Sequence, residues 1–198
     1  MKIIDQWLSA LYEIYWFIGR IIYSKRMHIG KNAKIRWGGA VKAGQHIWIG
    51  RDFFIGKHFL LAVYPKDGHS RPIGRLKIGN RVCAQERVRI SCIKSVVIED
   101  DVLMGSNILI TDNDHGMNPV SRLSYMEQAS TSSPVHIGKG CWIGEQTVIL
   151  AGSNIGEKCI IGANSVVKGN VPPYSVAVGS PAKVIKRWDF EKGAWVKN

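Results

Sequence analysis

The sequence predicts an all-β solenoid, a chain wound as a triangular prism of about six coils. Three observations carry this expectation. An aliphatic residue recurs every six positions, the series breaks at only a few places, and a small residue takes the fifth place of the most regular blocks. From residue 137 the chain reads IGKGCW, IGEQTV, ILAGSN, IGEKCI, IGANSV, VKGNVP. Aliphatic residues open these blocks at 137, 143, 149, 155, 161 and 167, and Cys141, Thr147, Ser153, Cys159 and Ser165 stand fifth. A period of six fits neither a helix of about 3.6 residues per turn nor plain strand alternation. It fits one short flat strand and a corner per block, three blocks to a coil, with coils stacked as parallel sheets.

The same beat runs upstream. Ile29, Ile35 and Val41 are six apart, as are Ile49, Ile55 and Leu61, then Ile78, Ala84 and Ile90, then Ile98, Met104 and Ile110. Grouped by threes, the coils begin near 29, 49, 78, 98, 137 and 155. The steps from 41 to 49 and from 90 to 98 are eight and imply two-residue bulges at corners. Longer breaks at 62–77 and 111–136 imply loops that leave the prism. The body therefore spans 28–172, between an N-terminal segment 1–27 and a C-terminal cap 173–198 with Trp188, Phe190 and Trp195 as apolar contacts. Leading aliphatics should point inward, the small fifth residue should sit in the crowded corner, and glycine should supply the backbone freedom of the turn. The usual rule for parallel connections predicts right-handed winding.

Segment 1–27 is the most apolar and aromatic part of the chain. Asp5 and Glu13 interrupt it, and no small-residue cleavage site follows, which argues against a signal peptide and against a membrane span of about 20 apolar residues. Apolar residues at 4, 7, 8, 11, 14, 15, 18 and 22 follow helical spacing. The expected element is an amphipathic helix that packs on the protein. The alternative is an interfacial membrane helix with Trp7, Tyr12 and Trp16 at headgroup level.

The 198 residues carry 45% hydrophobic side chains, enough for one sizeable core. A net charge of +12 attracts anions such as nucleic acid, acidic lipid headgroups or phosphorylated cofactors. The basic residues are scattered rather than run together, which argues against nucleic acid as a partner. Cys83, Cys92, Cys141 and Cys159 form no C-x-x-C pair and sit in aliphatic stretches, as reduced core residues of a cytoplasmic protein would.

The IG-x-x-x-x blocks, the preceding histidine stretch ITDNDHGMN at 110–118 and the ending IGANSVV...VPPYSVAVGSPAKVIKRW resemble the hexapeptide-repeat acyltransferases. The resemblance covers roughly 28–188 and is closest to the O-acetyltransferases of sugars, O-antigen, capsule and colanic acid. It implies a left-handed β-helix, a homotrimer with sites between adjacent subunits, and acetyl-CoA as co-substrate. It further implies transfer of an acetyl group to a sugar hydroxyl, with a cell-surface polysaccharide or its precursor as the glycan acceptor. An N-acetyltransferase acting on an amino sugar and a non-catalytic scaffold stand as alternatives. Peripheral membrane contact fits the basic charge and the aromatic N-terminus.

Such transfer needs a base for the attacking hydroxyl and donors for the oxyanion, but no metal. His115 is the candidate base, since imidazole can accept a proton near neutrality. Asp112, Asn113 and Asp114 are candidates to orient the ring or to contact the sugar, against the plainer reading of DNDHG as a polar turn. His136 reads as a strand-entry residue, His28, His46 and His58 lie near coil edges, and His69 in the first loop is placed to touch an acceptor. A three-histidine zinc site, used by carbonic anhydrases of this fold, is not expected, because no second histidine shares coil register with His115. By resemblance, Gln85 takes the place of an acceptor-binding Asn, with Glu86 beside it. Trp142 flanks the pantetheine arm, and backbone groups near Gly144 and Ala163 bond its amides. Lys168 and Gly169 fall where relatives have Thr-Lys, and Lys183 and Lys186 where relatives hold the CoA phosphates. Glu145 departs from the small polar residue common in sugar acetyltransferases.

Overall fold

The computed structural model describes residues 14, 16, 18–66 and 70–198. Trp7, Tyr12 and His69 lie outside the described residues. Three sheets form the prism. Face one is seven-stranded, face two nine-stranded and face three six-stranded among the described residues. Each coil visits them in that order, as in Ser95–Ile98, Leu103–Met104 and Leu109–Thr111.

Pairing between coils is parallel and keeps the six-residue blocks in register: Ile98 lies beside Ile78 and Ile137, Met104 beside Ala84 and Ile143, Ile110 beside Ile90 and Ile149. The predicted inward residues from Ile49 to Val167 are buried in one continuous core, while Ile29 and Val41 of the first coil are partly covered. The coil starts expected from the sequence all fall on face one, which gains one further strand, Asn170–Val171.

The corners divide one expectation. The left-handed backbone falls on the fourth place of the blocks, where Gly38, Gly140 and Gly152 supply it as expected and Asn32, Asp52, His58, Arg81, Arg87, Asp101, Asn107, Gln146, Lys158 and Asn164 also adopt positive φ. The second-place glycines serve close approach instead. A Cβ at Gly144 would lie 2.5 Å from the Ala163 nitrogen, and one at Gly50 2.5 Å from the Gly79 oxygen. Neighbouring coils can touch there only because no side chain intervenes.

The excursions are shorter than expected because the adjoining strands run further: Leu60–Val63 and Arg75–Ile78 bound the first, Leu109–Thr111 and Val135–Ile137 the second. The prism also passes residue 172, since Ser175–Val178 pairs parallel with Ile160–Ile161. The chain then reverses, and Lys183–Asp189 and Ala194–Lys197 extend face two as an antiparallel hairpin. Trp188 and Trp195 meet edge to face at 5.4 Å within it, and Phe190 meets Tyr174 at 5.0 Å.

Residues 18–24 are helical, as the N-terminal periodicity predicts, but a different stripe packs. Trp16, Gly19, Tyr23 and Met27 are buried, with Trp16 5.4 Å from Phe54 and Tyr23 5.4 Å from Phe59. Ile14, Ile18 and Ile22 of the expected packing stripe face outward, joined by Ile21. The aromatic rings of the second coil accept aromatic partners, which rotates the helix by about half a turn. Cys92, Cys141 and Cys159 are buried as expected, whereas Cys83 is half-buried on the outer side of face two. Among the described residues, no helix is long and apolar enough to cross a membrane.

Candidate active site

His115 leaves the prism at the corner between faces three and one. The chain there first makes a rivet. Asp112 is fully buried, with its carboxylate under the short turn of the preceding coil. Ile93 N–H donates to Oδ1 at 2.7 Å, and the Lys94 and Ser95 N–H groups donate to Oδ2 at 2.7 Å each. These bonds satisfy the turn that the eight-residue step creates. An aspartate so engaged cannot contact a sugar, which corrects the expectation for Asp112. Burial, and then the neighbouring Asp112 charge, push the Cys92 thiol well above its usual range, so it is inert.

Asn113–Asp114 then pairs antiparallel with Thr131–Ser132, so the second excursion is a hairpin at its base. Asn113 Nδ2 donates to Ser91 Oγ at 3.2 Å and to Asp112 Oδ1 at 3.1 Å, which commits its amide to holding the hairpin. Asp114 and His115 are exposed. Gly116 is buried against Gln128, whose Cβ would lie 2.5 Å from a Cβ at this position, so only glycine fits. Gln128 in turn stitches the excursion, accepting from Asn118 N–H at 2.9 Å and donating to the Leu123 carbonyl at 3.2 Å. His115 thus stands on a fixed support and opens on a cleft of about 680 Å3, walled by Tyr64, Lys66 and Ser91 on one side and Met126, Gln128 and Ser130 on the other. Sequence reasoning missed Tyr64, Lys66 and Gln128. Their signal was the pair of loops leaving one corner two coils apart.

The other predicted residues divide between corners. Lys168 and Gly169 (φ 87°) lie at the His115 corner, lower in the stack. Gln85, Gly144 and Ala163 lie at the opposite end of face three, where it meets face two. Gln85 is exposed, and Glu86 beside it lies 3.7 Å from Arg36. Glu145 accepts from Asn107 Nδ2 at 3.3 Å. Trp142 is 51% exposed on the outside of face two, in a recess shared with Trp188 and Trp195. Lys183 and Lys186 are exposed on the reversed strand beside it. Within one chain, Gln85 and the face-two residues do not meet His115. His136 has its own partners, Glu99 at 3.0 Å and Asn154 at 3.0 Å.

A prism of parallel six-residue coils with a histidine hairpin at one corner defines a class, the hexapeptide-repeat solenoids. Residues 134–169 match the model of the bacterial transferase hexapeptide, six repeats. A relative in Escherichia coli, provisionally named as the lipopolysaccharide biosynthesis O-acetyltransferase WbbJ, is 38% identical over 130 residues, 63% of this chain and 66% of that protein. A Mycobacterium tuberculosis protein provisionally named as an acetyltransferase is 40% identical over 113 residues, 57% of this chain and 37% of its own length. The chain thus spans less than two thirds of these relatives. Among solved structures, galactoside acetyltransferase in complex with coenzyme A aligns at TM-score 0.55 and 27% identity, over 83% of this chain and 66% of that one. A maltose O-acetyltransferase from Clostridium difficile aligns at TM-score 0.52 and 25% identity, over 85% and 73%. The chain is similar to hexapeptide-repeat transferases, and residues 134–169 carry their repeat. Its coil is the left-handed one of that fold, against the general rule for parallel connections.

Proposed function

We propose that the protein is an acetyl-CoA-dependent O-acetyltransferase acting on a sugar hydroxyl of a cell-surface polysaccharide or its precursor. The observation that carries this reading is His115, exposed on a riveted hairpin beside a sugar-sized cleft. The likeness to enzymes named for galactoside, maltose and lipopolysaccharide acetylation supports it.

In this reading the His115 imidazole takes the proton of the acceptor hydroxyl as that oxygen attacks the thioester carbonyl. Backbone N–H groups stabilise the resulting oxyanion, which collapses with loss of the CoA thiolate. The imidazolium then returns the proton to the sulfur. Trp142 covers the pantetheine arm, Gly144 and Ala163 offer backbone groups where no side chain intrudes, and the exposed ammonium groups of Lys168, Lys183 and Lys186 suit phosphates. Because Gln85, Trp142, Gly144, Ala163, Lys183 and Lys186 lie one face away from His115, the complete site forms between copies, in a homotrimer. Asp114 is the member of the DND run left free for the acceptor.

The test is acetyl transfer from labelled acetyl-CoA to candidate glycans. His115→Ala should lose about a hundredfold to ten-thousandfold in rate at unchanged melting temperature. A rate near wild type would remove His115 as the base. Lability of the product acetyl group to mild alkali separates an ester from the amide of an amino sugar.

We also propose that the N-terminal helix rests on an anionic membrane surface. Ile14, Ile18, Ile21 and Ile22 are 55, 48, 44 and 41% exposed on the side away from the prism, and Arg20, Lys25 and Arg26 flank them. Trp37, 58% exposed, lies beside the helix next to Gly19. An apolar stripe with basic neighbours and an indole suits the interface of anionic lipids. The full chain should sediment with phosphatidylglycerol vesicles and release in high salt. Ile18→Glu with Ile22→Glu should abolish sedimentation, and continued sedimentation of that variant excludes the helix as the contact.

A further inference from the structure

We propose that the acceptor carries an anionic group and that Lys66 and Lys94 receive it in a second chamber of the His115 cleft. The inference rests on the acetyl-transfer reading above and names the chemistry of its acceptor.

The two excursions leave the same corner on either side of one coil. The turn of that intervening coil, at Ile93 and Lys94, forms the floor between them. Beyond the His115 chamber lies a second one of about 570 Å3. Lys66, Ile93 and Ser130 line both, so the two are one continuous trough. Gly74 closes the far side directly on the floor, since a Cβ there would overlap the Ile93 carbonyl.

The lining of the second chamber is chemically one-sided. Lys66 and Lys94 contribute ammonium groups, and Ser130, Thr131 and Ser132 contribute hydroxyls. No described residue that lines it is acidic. The one carboxylate among the described residues that line the His115 chamber, Glu127, is engaged elsewhere: its Oε2 accepts from Ser124 Oγ at 2.7 Å and from Ser124 N–H at 3.0 Å. Asp112, beneath the floor, is saturated by backbone N–H groups, one of them that of Lys94. A further cation stands at the His115 end, where Lys42 Nζ lies 5.2 Å from the centre of the Tyr64 ring.

Two ammonium groups in one recess repel each other unless an anion lies between them. A neutral sugar needs no such pair. Phosphate or carboxylate oxygens accept from ammonium and hydroxyl alike, and such charge-assisted bonds exceed neutral ones in strength. The position is one chamber away from the base. A sugar whose hydroxyl meets His115 would therefore place an attached phosphate, or the carboxylate of a neighbouring acidic sugar, over Lys66 and Lys94.

The test uses matched acceptors, each hexose as its 1-phosphate, its methyl glycoside and the corresponding methyl uronide. Binding is followed by calorimetry on the full chain, and transfer by thiol release from acetyl-CoA. Wild type should bind the anionic member about tenfold or more tightly over the neutral one. The Lys66→Met, Lys94→Met double variant, which keeps the apolar stems, should bring that ratio close to one at unchanged melting temperature. Preference for phosphate over uronide, or the reverse, assigns the source of the charge. Equal binding of neutral and anionic members by wild type, or a ratio that survives in the double variant, overturns the inference. Failure of the acetyl-transfer reading looks different: anionic preference in binding persists while no acceptor releases thiol.

Discussion

From Ile49 to Ile110 the fifth place of the first two blocks of each coil holds an apolar side chain: Phe53, Phe59, Val82, Val88, Val102 and Ile108, all buried. From Ile137 onward the same place holds Cys141, Thr147, Ser153, Cys159 and Ser165, also buried. The upper corners are filled by apolar volume, and the coil above makes room for it. A Cβ at Gly39 would overlap the Phe59 ring. The lower corners are filled by hydrogen bonds. Thr147 Oγ1 donates to the Gly144 carbonyl at 2.7 Å, and Ser153 Oγ lies 2.7 Å from the Leu150 carbonyl and 3.1 Å from that of Val167. Cys141 and Cys159 donate to the carbonyls of Gly156 and Pro172 at 3.0 and 2.9 Å. A bonded hydroxyl needs its carbonyl at a fixed offset, so the lower half keeps strict blocks, and it is the half that the family model matches. Apolar volume has no such directionality. The upper half therefore tolerates both eight-residue steps and both excursions, and the candidate site grows from it.

The comparison can be broken experimentally. Phe59→Ala should be the most damaging corner change, costing about 3–5 kcal/mol in guanidinium unfolding, because it empties a cavity that Tyr23 and Gly39 cannot fill. A cost near that of an exposed residue would end the idea of volume-filled corners. Thr147→Val keeps the volume and removes the hydroxyl. It should cost about 1 kcal/mol, and Ser153→Ala about the same. A neutral Thr147→Val would mean that the lower corners also work by volume. The smallest effect belongs to the outer ladder between faces one and two. There Arg81 binds Asp101 at 2.6 and 2.9 Å and holds its carboxyl below the usual range. That contribution is complete above the ordinary carboxylate range and is lost as pH falls through the depressed value. Asp101→Asn should therefore lower the melting temperature slightly at neutral pH, leave it unchanged in acid, and so flatten the acid limb of the profile.

The inward residues were legible because one chemical need, an aliphatic side chain at each sixth place, repeats from Ile49 to Val167 with little competition. The corner glycines were only partly legible because composition cannot separate a need for positive φ from a need for close approach. Gly140, Gly152, Asn32 and Asp101 meet the first need and Gly144 the second. The N-terminal stripe was misassigned because Ile14, Ile18 and Ile22 obey the same helical period as Trp16 and Tyr23, and only the rings of Phe54 and Phe59 decide between them. His115 stood out by residue type. Asp112 beside it looked equally available, yet its role depends on the Ile93–Ser95 turn, which lies close in space but not in sequence. Gln85 and His115 were grouped by chemistry, and no spacing along the chain reveals that a whole face separates them in one copy.

The reversed hairpin at Lys183–Lys197 closes the stack of coils on face two. Coils of this prism extend only by strands running one way, and the last strand of face two, Ala194–Lys197, is antiparallel to its neighbour, which is itself antiparallel to Ser175–Val178. The polarity of the edge is thus restored, but Lys197 stands on it, and it offers a single sheet where a further coil would need three. The hairpin is punctuation: it lets the repeat stop without inviting another molecule to continue it end to end.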